Sequence, residues 1–278
     1  MQFDTLAVII GAQKAGTTSL FEYLVQHPQI CACQTKEPNF FSNDEVWQQG
    51  WDWYDSLWTF QPEHEIALEA SVSYTKGQPN PLICQRMGQR QLKYKFIYIV
   101  RNPIERIESH YTHGYAEGWP VAAKPLAQGI DPFMIDTSRY AAHLDLFSAA
   151  FTPKSICVVE FDALRSQRVD VLRKIVAFLG LNWSAQLEAD EMKHNPSVGK
   201  VRLNRLGKVV RQTYLRLGSV SRLLPAGLRR KVLHSLLGQK IEKKFYLTSR
   251  QRNEVHALLA EDLLRLQAEY GVDVTQWS

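Results

Sequence analysis

The sequence predicts an α/β fold, a three-layer sandwich in which a central parallel sheet is flanked by helices. Four short apolar runs rich in β-branched residues recur along the chain, as expected for strands that are buried on both faces of a sheet. These runs are residues 6–10, 66–68, 96–100 and 156–159. Segments with helical periodicity separate the runs, and this alternation is typical of a doubly wound parallel sheet.

Five segments have the apolar spacing of helices, namely residues 18–26, 103–111, 140–150, 169–179 and 248–270. The first ends before Pro28, and Pro103 suits the first turn of the second because a proline there loses no helical hydrogen bond. Thr248 is a suitable N-cap for the last segment. No repeat or flexible linker interrupts the pattern, so we expect a single domain over residues 1–278, with a basic segment at 196–246 that forms a lid.

The composition is that of an ordinary globular protein, since 45% of the 278 residues are hydrophobic and 22% are charged. No apolar run approaches the roughly 20 residues that a membrane span needs. The first apolar run leads into a glycine-rich loop rather than a leader cleavage site, so we expect a cytoplasmic protein. The cysteines lack metal-ligand spacing and are expected to be buried thiols rather than a zinc site; they are Cys31, Cys33, Cys84 and Cys157.

The net charge of +5 is unevenly distributed, because residues 200–244 contain thirteen Lys or Arg and one acidic residue. A basic segment beside a negatively charged remainder indicates an anionic ligand, an anionic acceptor or an anionic membrane surface, and it does not choose among them. Peripheral membrane association therefore stays open. Nucleic-acid binding is not expected, because few stacking aromatic residues are interleaved with these charges.

The sharpest local signal is the run Val-Ile-Ile-Gly-Ala-Gln-Lys-Ala-Gly-Thr-Thr at residues 8–18, in which a strand leads through a glycine-rich turn into a helix. Such a turn directs backbone N–H groups and the positive end of a helix at an anion. The nucleotide P-loop places Lys and Ser/Thr directly after its last glycine, whereas Lys14 precedes Gly16 by two residues. The run therefore predicts a P-loop-like sandwich that binds an anion, and it disfavours an ATPase or GTPase.

The spacing Lys-x-Gly-Thr-Thr after a strand resembles the 5'-phosphosulfate loop of the sulfotransferases that use PAPS (3'-phosphoadenosine 5'-phosphosulfate). The resemblance implies that Lys14 contacts the bridging oxygen of the donor and offsets the charge that develops on the leaving phosphate. It also implies that Ala15, Gly16, Thr17 and Thr18 hold the 5'-phosphate through backbone and hydroxyl donors. PAPS is thus the expected co-substrate.

A second strand runs into a helix in the run Phe-Ile-Tyr-Ile-Val-Arg-Asn-Pro-Ile-Glu-Arg-Ile-Glu-Ser-His-Tyr at residues 96–111. Its Arg, its Pro and its Ser eight positions after the Arg resemble the 3'-phosphate site of the same family, which implies that Arg101 and Ser109 bind that phosphate. Arg106 is expected to serve structure by pairing with a carboxylate. Two phosphate loops at strand ends agree with the rule that ligands bind outside the carboxyl ends of parallel strands.

The run Glu-Pro-Asn-Phe-Phe that begins at Glu37 resembles the Glu-x-x-Phe-Phe of heparan-sulfate and Golgi-type carbohydrate sulfotransferases and their bacterial relatives. The resemblance makes Glu37 the candidate base, because a hydroxyl acceptor must lose its proton as it attacks sulfur. The alternative is that Glu37 pairs with Lys36 or Lys14 only for structure. His110 and His113 are weaker candidates, since cytosolic small-molecule sulfotransferases use a histidine but neither residue matches its position.

Two departures from the family concern the acceptor side and the 3'-phosphate. The run Leu-Glu-Ala-Ser-Val-Ser-Tyr at residues 68–74 resembles a Glu-Lys-(Ser/Thr)-x-x-Tyr segment of glycan sulfotransferases, but Ala70 replaces the Lys. This leaves open which residue supplies a cation on the acceptor or sulfate side. The basic segment after Asn195 lacks the family's nucleotide-covering pattern, although Lys200 and Arg202 are candidates for the 3'-phosphate.

The sequence therefore predicts a sulfotransferase that moves the sulfuryl group of PAPS to a hydroxyl or amine and releases 3',5'-ADP (PAP) without a metal ion. The expected acceptor is a glycan, a glycolipid or a small metabolite. Four tryptophans are either a stacking wall for it or core packing; they are Trp47, Trp51, Trp53 and Trp58. The alternatives are a nucleotide kinase with an atypical phosphate loop and a non-catalytic protein that binds PAPS or PAP. The oligomeric state is left open.

Overall fold

The computed structural model describes residues 3–117, 129–188, 201–203, 238–240 and 244–277. The chain forms two compact units. The first consists of Met1–Arg106, Ile130–His194 and Ser249–Ser278, and the second of Ile107–Gly129 and Asn195–Thr248. Most of the basic segment predicted to form a lid lies outside the described residues.

A five-stranded parallel sheet is the centre of the first unit. Its strands are β1 (Thr5–Gly11), β2 (Ile30–Ala32), β3 (Ile66–Ala70), β4 (Lys93–Val100) and β5 (Ile156–Glu160). Their order across the sheet is β2-β3-β1-β4-β5, and every neighbouring pair is parallel. The four strands predicted from the sequence are confirmed. The short strand β2 was not predicted from the sequence.

Ten helices are described. They are α1 (Thr17–Leu24), α2 (Asp44–Trp47), α3 (Gly50–Asp55), α4 (Pro81–Gly88), α5 (Pro103–Glu117), α6 (Pro132–Asp136), α7 (Tyr140–Ala150), α8 (Phe161–Ser166), α9 (Arg168–Leu179) and α10 (Ser249–Tyr270). The five predicted helices correspond to α1, α5, α7, α9 and α10, and α10 begins directly after the predicted N-cap. The others were not predicted, because they have at most eight residues and little room for helical periodicity.

The strands at the centre of the sheet form the core. Residues 6–10 of β1 and 96–100 of β4 have no exposed surface, as expected for strands covered on both faces. The last helix is attached to α7 by Asp262, whose two carboxylate oxygens accept hydrogen bonds from the backbone N–H groups of Ala141 and Ala142 at 3.1 and 3.0 Å. A carboxylate at this position satisfies N–H groups that the first turn of a helix leaves unpaired.

The four cysteines are free and buried, which confirms the prediction from the sequence. Burial raises the pKa of Cys33 and of Cys84 to about 12 in each case, so neither is a thiolate at neutral pH. In the described segments, no helix is both long enough and apolar enough to cross a membrane.

In the second unit, α5 packs against the short stretch that precedes α10. The backbone N–H of Leu247 donates to Oε1 of Glu108 at 3.0 Å, and that of Phe245 donates to Oγ1 of Thr112 at the same distance. The Tyr115 and Phe245 rings lie 5.3 Å apart. Two further strands, β6 (Val201–Leu203) and β7 (Gly238–Lys240), pair antiparallel in this unit.

Candidate active site

The candidate site lies at one edge of the five-stranded sheet. Because all five strands are parallel, their carboxyl ends meet at the same edge, where α/β proteins bind their ligands. The loop after β1 holds the first predicted anion-binding motif, and Arg101 directly follows β4. Glu37 lies in the loop after β2. The fold thus brings together the candidate residues of the first unit, which are scattered along the sequence.

Gly16 is the N-cap of α1 and has a left-handed backbone, with φ 93° and ψ 13°. A Cβ at this position would lie 2.9 Å from the Phe161 ring, so both the conformation and the close approach require glycine. Among the described residues, no side chain caps the first turn of α1, and that turn contains no acidic residue. The N–H groups that begin α1 are therefore suited to an anion.

Arg101 connects the two predicted phosphate loops. Its Nη1 donates to the carbonyl oxygen of Lys14 at 3.1 Å, while its Nη2 and Nε donate to Oε2 of Glu105 at 2.7 and 3.3 Å. The guanidinium also lies over the Phe161 ring, 4.4 Å from its centroid. The side chain is only 11% exposed. These contacts fix a permanent positive charge beside the loop after β1.

Phe161 was not predicted as part of this site. Its ring limits Gly16 on one side and supports the Arg101 guanidinium on another. It is the first residue of α8, directly after β5, so a third strand end contributes to the same edge. The only sequence signal was its position at the end of a predicted strand.

Arg106 has a structural role, as predicted, although its described hydrogen bonds run to neutral oxygens. Its Nε donates to Oγ of Ser138 at 2.8 Å and its Nη2 to the carbonyl oxygen of Met134 at 2.7 Å. A third, longer contact of 3.5 Å reaches the carbonyl oxygen of Gln13. The side chain has no exposed surface. Arg106 thereby ties the loop after β1 to the segment that precedes α7.

Glu37 is half-buried and has a left-handed backbone with φ 56°, which is unusual for a residue other than glycine. Its N–H donates to the carbonyl oxygen of Ala70 at 3.0 Å, and its own carbonyl oxygen accepts from Nδ2 of Asn39 at 2.7 Å. Backbone conformations of this kind are often found at functional sites, where surrounding contacts hold them. The end of β3 thus fixes the position of the candidate base.

Hydrogen bonds within the Glu-Ala-Ser-Val-Ser-Tyr run explain its residue pattern. The fully buried Glu69 carboxylate accepts from the Tyr74 hydroxyl at 3.0 Å and from the Ser71 hydroxyl at 3.3 Å. Burial raises the pKa of Glu69 to about 7, although the hydrogen bonds of Tyr74 and Ser71 lower it. Ser71 Oγ also accepts from the backbone N–H of Asn39 at 3.1 Å. The run therefore holds the Glu37 loop in place through the hydrogen bond between Ser71 and Asn39.

Lys76 is a cation near Glu37 that the sequence did not predict. Burial lowers the pKa of Lys76, and the negative charge of Glu37 partly offsets this effect, which places the two groups within electrostatic range. The ammonium lies 5.6 Å from the centroid of the Phe133 ring. Lys76 follows the run in which Ala70 replaces the lysine of the glycan enzymes.

Lys36 contacts the phosphate loop. Its Nζ donates to Oγ1 of Thr18, the second residue of α1, at 2.5 Å. The sequence suggested Lys36 only as a structural partner of Glu37. In the structure this hydrogen bond directs the ammonium toward the amino end of α1 instead.

The remaining candidates lie in the second unit or outside the described residues. Ser109 and His110 are buried residues of α5 in the second unit, and His113 lies one turn further along the same helix. Lys200 lies outside the described residues. Arg202 lies in β6, paired in register with Gln239. The roles of these residues stay predictions.

The aromatic residues after Glu37 form a packed cluster. Phe40 and Phe41 have no exposed surface, and besides the Phe41 ring Phe40 lies 4.4 to 5.9 Å from four further rings. Those rings belong to Trp47, Trp51, Trp53 and Tyr54. Guanidinium groups cover Trp47 and Trp51, with Arg86 at 5.3 Å and Arg90 at 4.7 Å from the ring centroids. These contacts favour core packing over a stacking wall for a sugar.

The fold and the two loops define the class of protein. The arrangement is an α/β sandwich of the sulfotransferase kind, in which anion-binding groups gather at the carboxyl edge of a parallel sheet. A sulfotransferase from Alicyclobacillus acidocaldarius superimposes with a TM-score of 0.64 and 22% sequence identity over 100% of this chain and 99% of that one. A mouse sulfotransferase, SULT7A1, solved with PAP, gives a TM-score of 0.53 and 16% identity over 100% of this chain and 90% of that one.

Sequence comparison gives the family. Residues 4–263 match the Sulfotransferase domain family, and the chain belongs to it. Heparan sulfate glucosamine 3-O-sulfotransferase 5 of Mus musculus and of Homo sapiens is 30% identical over 188 residues, which is 63% of this chain and 53% of each relative. Heparan sulfate glucosamine 3-O-sulfotransferase 6 of Homo sapiens is 31% identical over 185 residues, 63% of this chain and 52% of that protein. The chain thus aligns with about half the length of these relatives.

Proposed function

We propose that this protein transfers the sulfuryl group of PAPS to a hydroxyl or amine of an acceptor and releases PAP. The observation that carries this proposal is the hydrogen bond between Arg101 and the carbonyl oxygen of Lys14, which joins two cationic loops at one sheet edge. Family membership and the PAP-bound mouse neighbour of the same fold support PAPS as the donor. The match over residues 4–263 also supports the proposal of a single sulfotransferase domain.

The donor fits the residues at the start of α1. The uncapped first turn and the left-handed Gly16 suit a 5'-phosphate, which accepts hydrogen bonds from backbone N–H groups and from the Thr17 and Thr18 hydroxyls. Lys14 stabilises the negative charge that grows on the bridging oxygen as the donor breaks. Arg101 binds the 3'-phosphate with the N–H groups that do not contact Glu105 and Lys14, and Ser109, Lys200 and Arg202 are further proposed ligands.

Glu37 acts as the general base of the proposed reaction. The acceptor oxygen or nitrogen passes its proton to the Glu37 carboxylate as it forms a bond to sulfur, while the bond from sulfur to the 5'-phosphate oxygen breaks and its electron pair leaves with PAP. Glu37 is held in the loop by hydrogen bonds of its backbone N–H and carbonyl oxygen, which do not involve the carboxylate that accepts the proton. Lys76 stabilises negative charge on the sulfuryl oxygens or on the acceptor.

The acceptor is proposed as a glycan, with a glycolipid and a small metabolite as the other chemistries to test. The glycan is favoured because the relatives named above are heparan sulfate glucosamine sulfotransferases, and because the run that begins at Glu37 resembles the Glu-x-x-Phe-Phe of carbohydrate sulfotransferases. The basic segment at residues 200–244 would suit a sulfated or carboxylated glycan or an anionic lipid surface equally well.

The experiment that tests the proposal is transfer of ³⁵S from labelled PAPS to a panel of glycans, glycolipids and phenols. We expect label on at least one acceptor class with the wild type and loss of that transfer with Lys14→Ala. Lys154→Ala, at an exposed lysine before β5, is the matched control and should transfer normally. Binding of PAP without transfer to any acceptor would indicate the non-catalytic alternative, and turnover of ATP with magnesium would indicate the kinase.

A further inference from the structure

The loop between β2 and α2 contains two adjacent charged residues, Lys36 and Glu37, with different proposed roles. Glu37 is the proposed base, and Lys36 directs its ammonium to the side chain of Thr18 in the first turn of α1. The two residues are adjacent, so a single loop delivers a base and a cation to the carboxyl edge of the sheet. We propose that Lys36 is a donor-binding residue that contacts the 5'-phosphosulfate end of PAPS, an inference that rests on the proposed function.

The position of the ammonium supports this role. Thr18 is one of the residues proposed to hold the 5'-phosphate, and Lys36 Nζ lies 2.5 Å from its hydroxyl oxygen. An anion that accepts a hydrogen bond from the Thr18 hydroxyl therefore lies within a few ångströms of the Lys36 ammonium. At such distances, opposite charges attract strongly even near a protein surface.

The hydrogen bond to Thr18 contributes little to stability by itself. Lys36 is exposed, and a hydrogen bond from an exposed lysine to a hydroxyl stabilises a fold by no more than the side-chain entropy lost in fixing it. The hydroxyl is also a weaker partner for an ammonium than a phosphate or sulfate oxygen. The Lys36 ammonium is therefore expected to contribute most binding free energy when an anion occupies the first turn of α1.

Lys36 also complements the charges already described. Arg101 lies on the β4 side of the phosphate loop, where it bonds to Lys14, whereas Lys36 approaches from the loop after β2. β2 and β4 lie on opposite sides of β1 in the sheet. Cations from both sides of β1 thus converge on one anion-binding turn.

The test is a calorimetric comparison of two nucleotides on two proteins. PAP carries both phosphates, and adenosine 3'-phosphate lacks the 5'-phosphate that Lys36 is proposed to contact. We expect Lys36→Met to weaken PAP binding about 10-fold or more, because a charge-assisted contact to the 5'-phosphate is lost. Binding of adenosine 3'-phosphate, which lacks that phosphate, should change less than about 2-fold. Lys36→Arg should recover most of the affinity for PAP.

Lys93→Met is the matched control, because Lys93 is an exposed lysine at the opposite, amino end of β4. It should leave both affinities unchanged. Equal losses for both nucleotides with Lys36→Met, or no loss for either, would overturn the inference while leaving the proposed function intact. A wild type that binds PAP no better than adenosine 3'-phosphate would overturn the proposed 5'-phosphate site itself, and the Lys36 inference with it.

Discussion

The Arg101 guanidinium donates a hydrogen bond to the carbonyl oxygen of Lys14, with Nη1 and O 3.1 Å apart. The two residues are far apart in the sequence, and each belongs to a strand-loop-helix motif that resembles a phosphate site of the sulfotransferases. This bond fixes the second motif against the first, so the positive charges of both are held in one place before any ligand binds. Such preorganisation lowers the cost of binding a nucleotide that carries two phosphate groups.

Replacing the proposed base should stop transfer and spare donor binding. Glu37→Gln keeps the size of the side chain and the backbone contacts to Ala70 and Asn39, but an amide cannot accept the acceptor's proton. We expect the transfer rate to fall about 10²- to 10⁴-fold, the usual contribution of general base catalysis, with PAP affinity changed less than about 3-fold. Radiolabel transfer and calorimetry measure the two quantities. Unchanged transfer would remove Glu37 from the chemistry and return attention to the histidines of α5.

A methyl group at position 16 should disturb the phosphate loop. Gly16→Ala places a Cβ 2.9 Å from the Phe161 ring and forces a left-handed alanine, which costs about 1–2 kcal/mol. We expect a lower melting temperature and PAP binding weakened at least about 10-fold. Gly88→Ala, at the end of α4, is the matched control because a Cβ there meets nothing within 4 Å. If both variants behaved alike, the close approach of Phe161 to the loop would not matter for binding.

Glu69 should make stability depend on pH. Burial raises the pKa of this carboxyl to about 7 from an ordinary value of 4.5, so between these values the folded protein binds the proton more tightly than the unfolded chain does. Stability is therefore expected to fall as pH rises through this window, by up to about 1.4 kcal/mol per pH unit. Glu69→Gln should remove that part of the slope in urea unfolding between pH 5 and 7.5. Glu63→Gln, at an exposed position, should keep the slope, and an unchanged slope in Glu69→Gln would contradict the assignment.

Lys76 should affect transfer rather than donor affinity. Lys76→Met removes the positive charge that lies near Glu37 and over the Phe133 ring, and it keeps an unbranched side chain. We expect a loss of about 10-fold or more in kcat/KM for the acceptor, because a charge that stabilises the transition state is missing. PAP affinity should be unchanged, and Lys76→Arg should restore part of the activity. A loss confined to PAP binding would show that Lys76 belongs to the donor side.

Local patterns explain how much the sequence could predict. The strands β1, β3, β4 and β5 were predicted because burial on both faces leaves continuous apolar runs, and Gly16 and Arg101 were predicted because each lies in a short strand-loop-helix motif. Residues whose roles depend on contacts between distant segments were not predicted. Phe161 contacts Arg101, Lys36 contacts Thr18, and the charge of Glu37 acts on Lys76 only because the fold brings distant segments together.

The same reasoning applies to residues whose contacts a local pattern does not show. The sequence showed only that Ala70 replaces a lysine in the run that contains Glu69 and Tyr74, whereas in the structure these two residues form a buried hydrogen bond that supports the Glu37 loop. Lys36 looked like a structural partner of Glu37, but its ammonium turns toward Thr18. A sequence motif shows which residues are neighbours along the chain. The fold is needed to show which of their atoms contact the site.

The most direct test of the donor assignment is a calorimetric titration with PAP and with adenosine 5'-phosphate, on the wild type and on Arg101→Ala. Arg173→Ala, at an exposed arginine of α9, is the control. The account predicts that the wild type prefers PAP by about 10-fold or more, and that Arg101→Ala loses this preference while Arg173→Ala keeps it. Equal binding of the two nucleotides by the wild type would contradict a site built for the 3'-phosphate and, with it, the PAPS-dependent function.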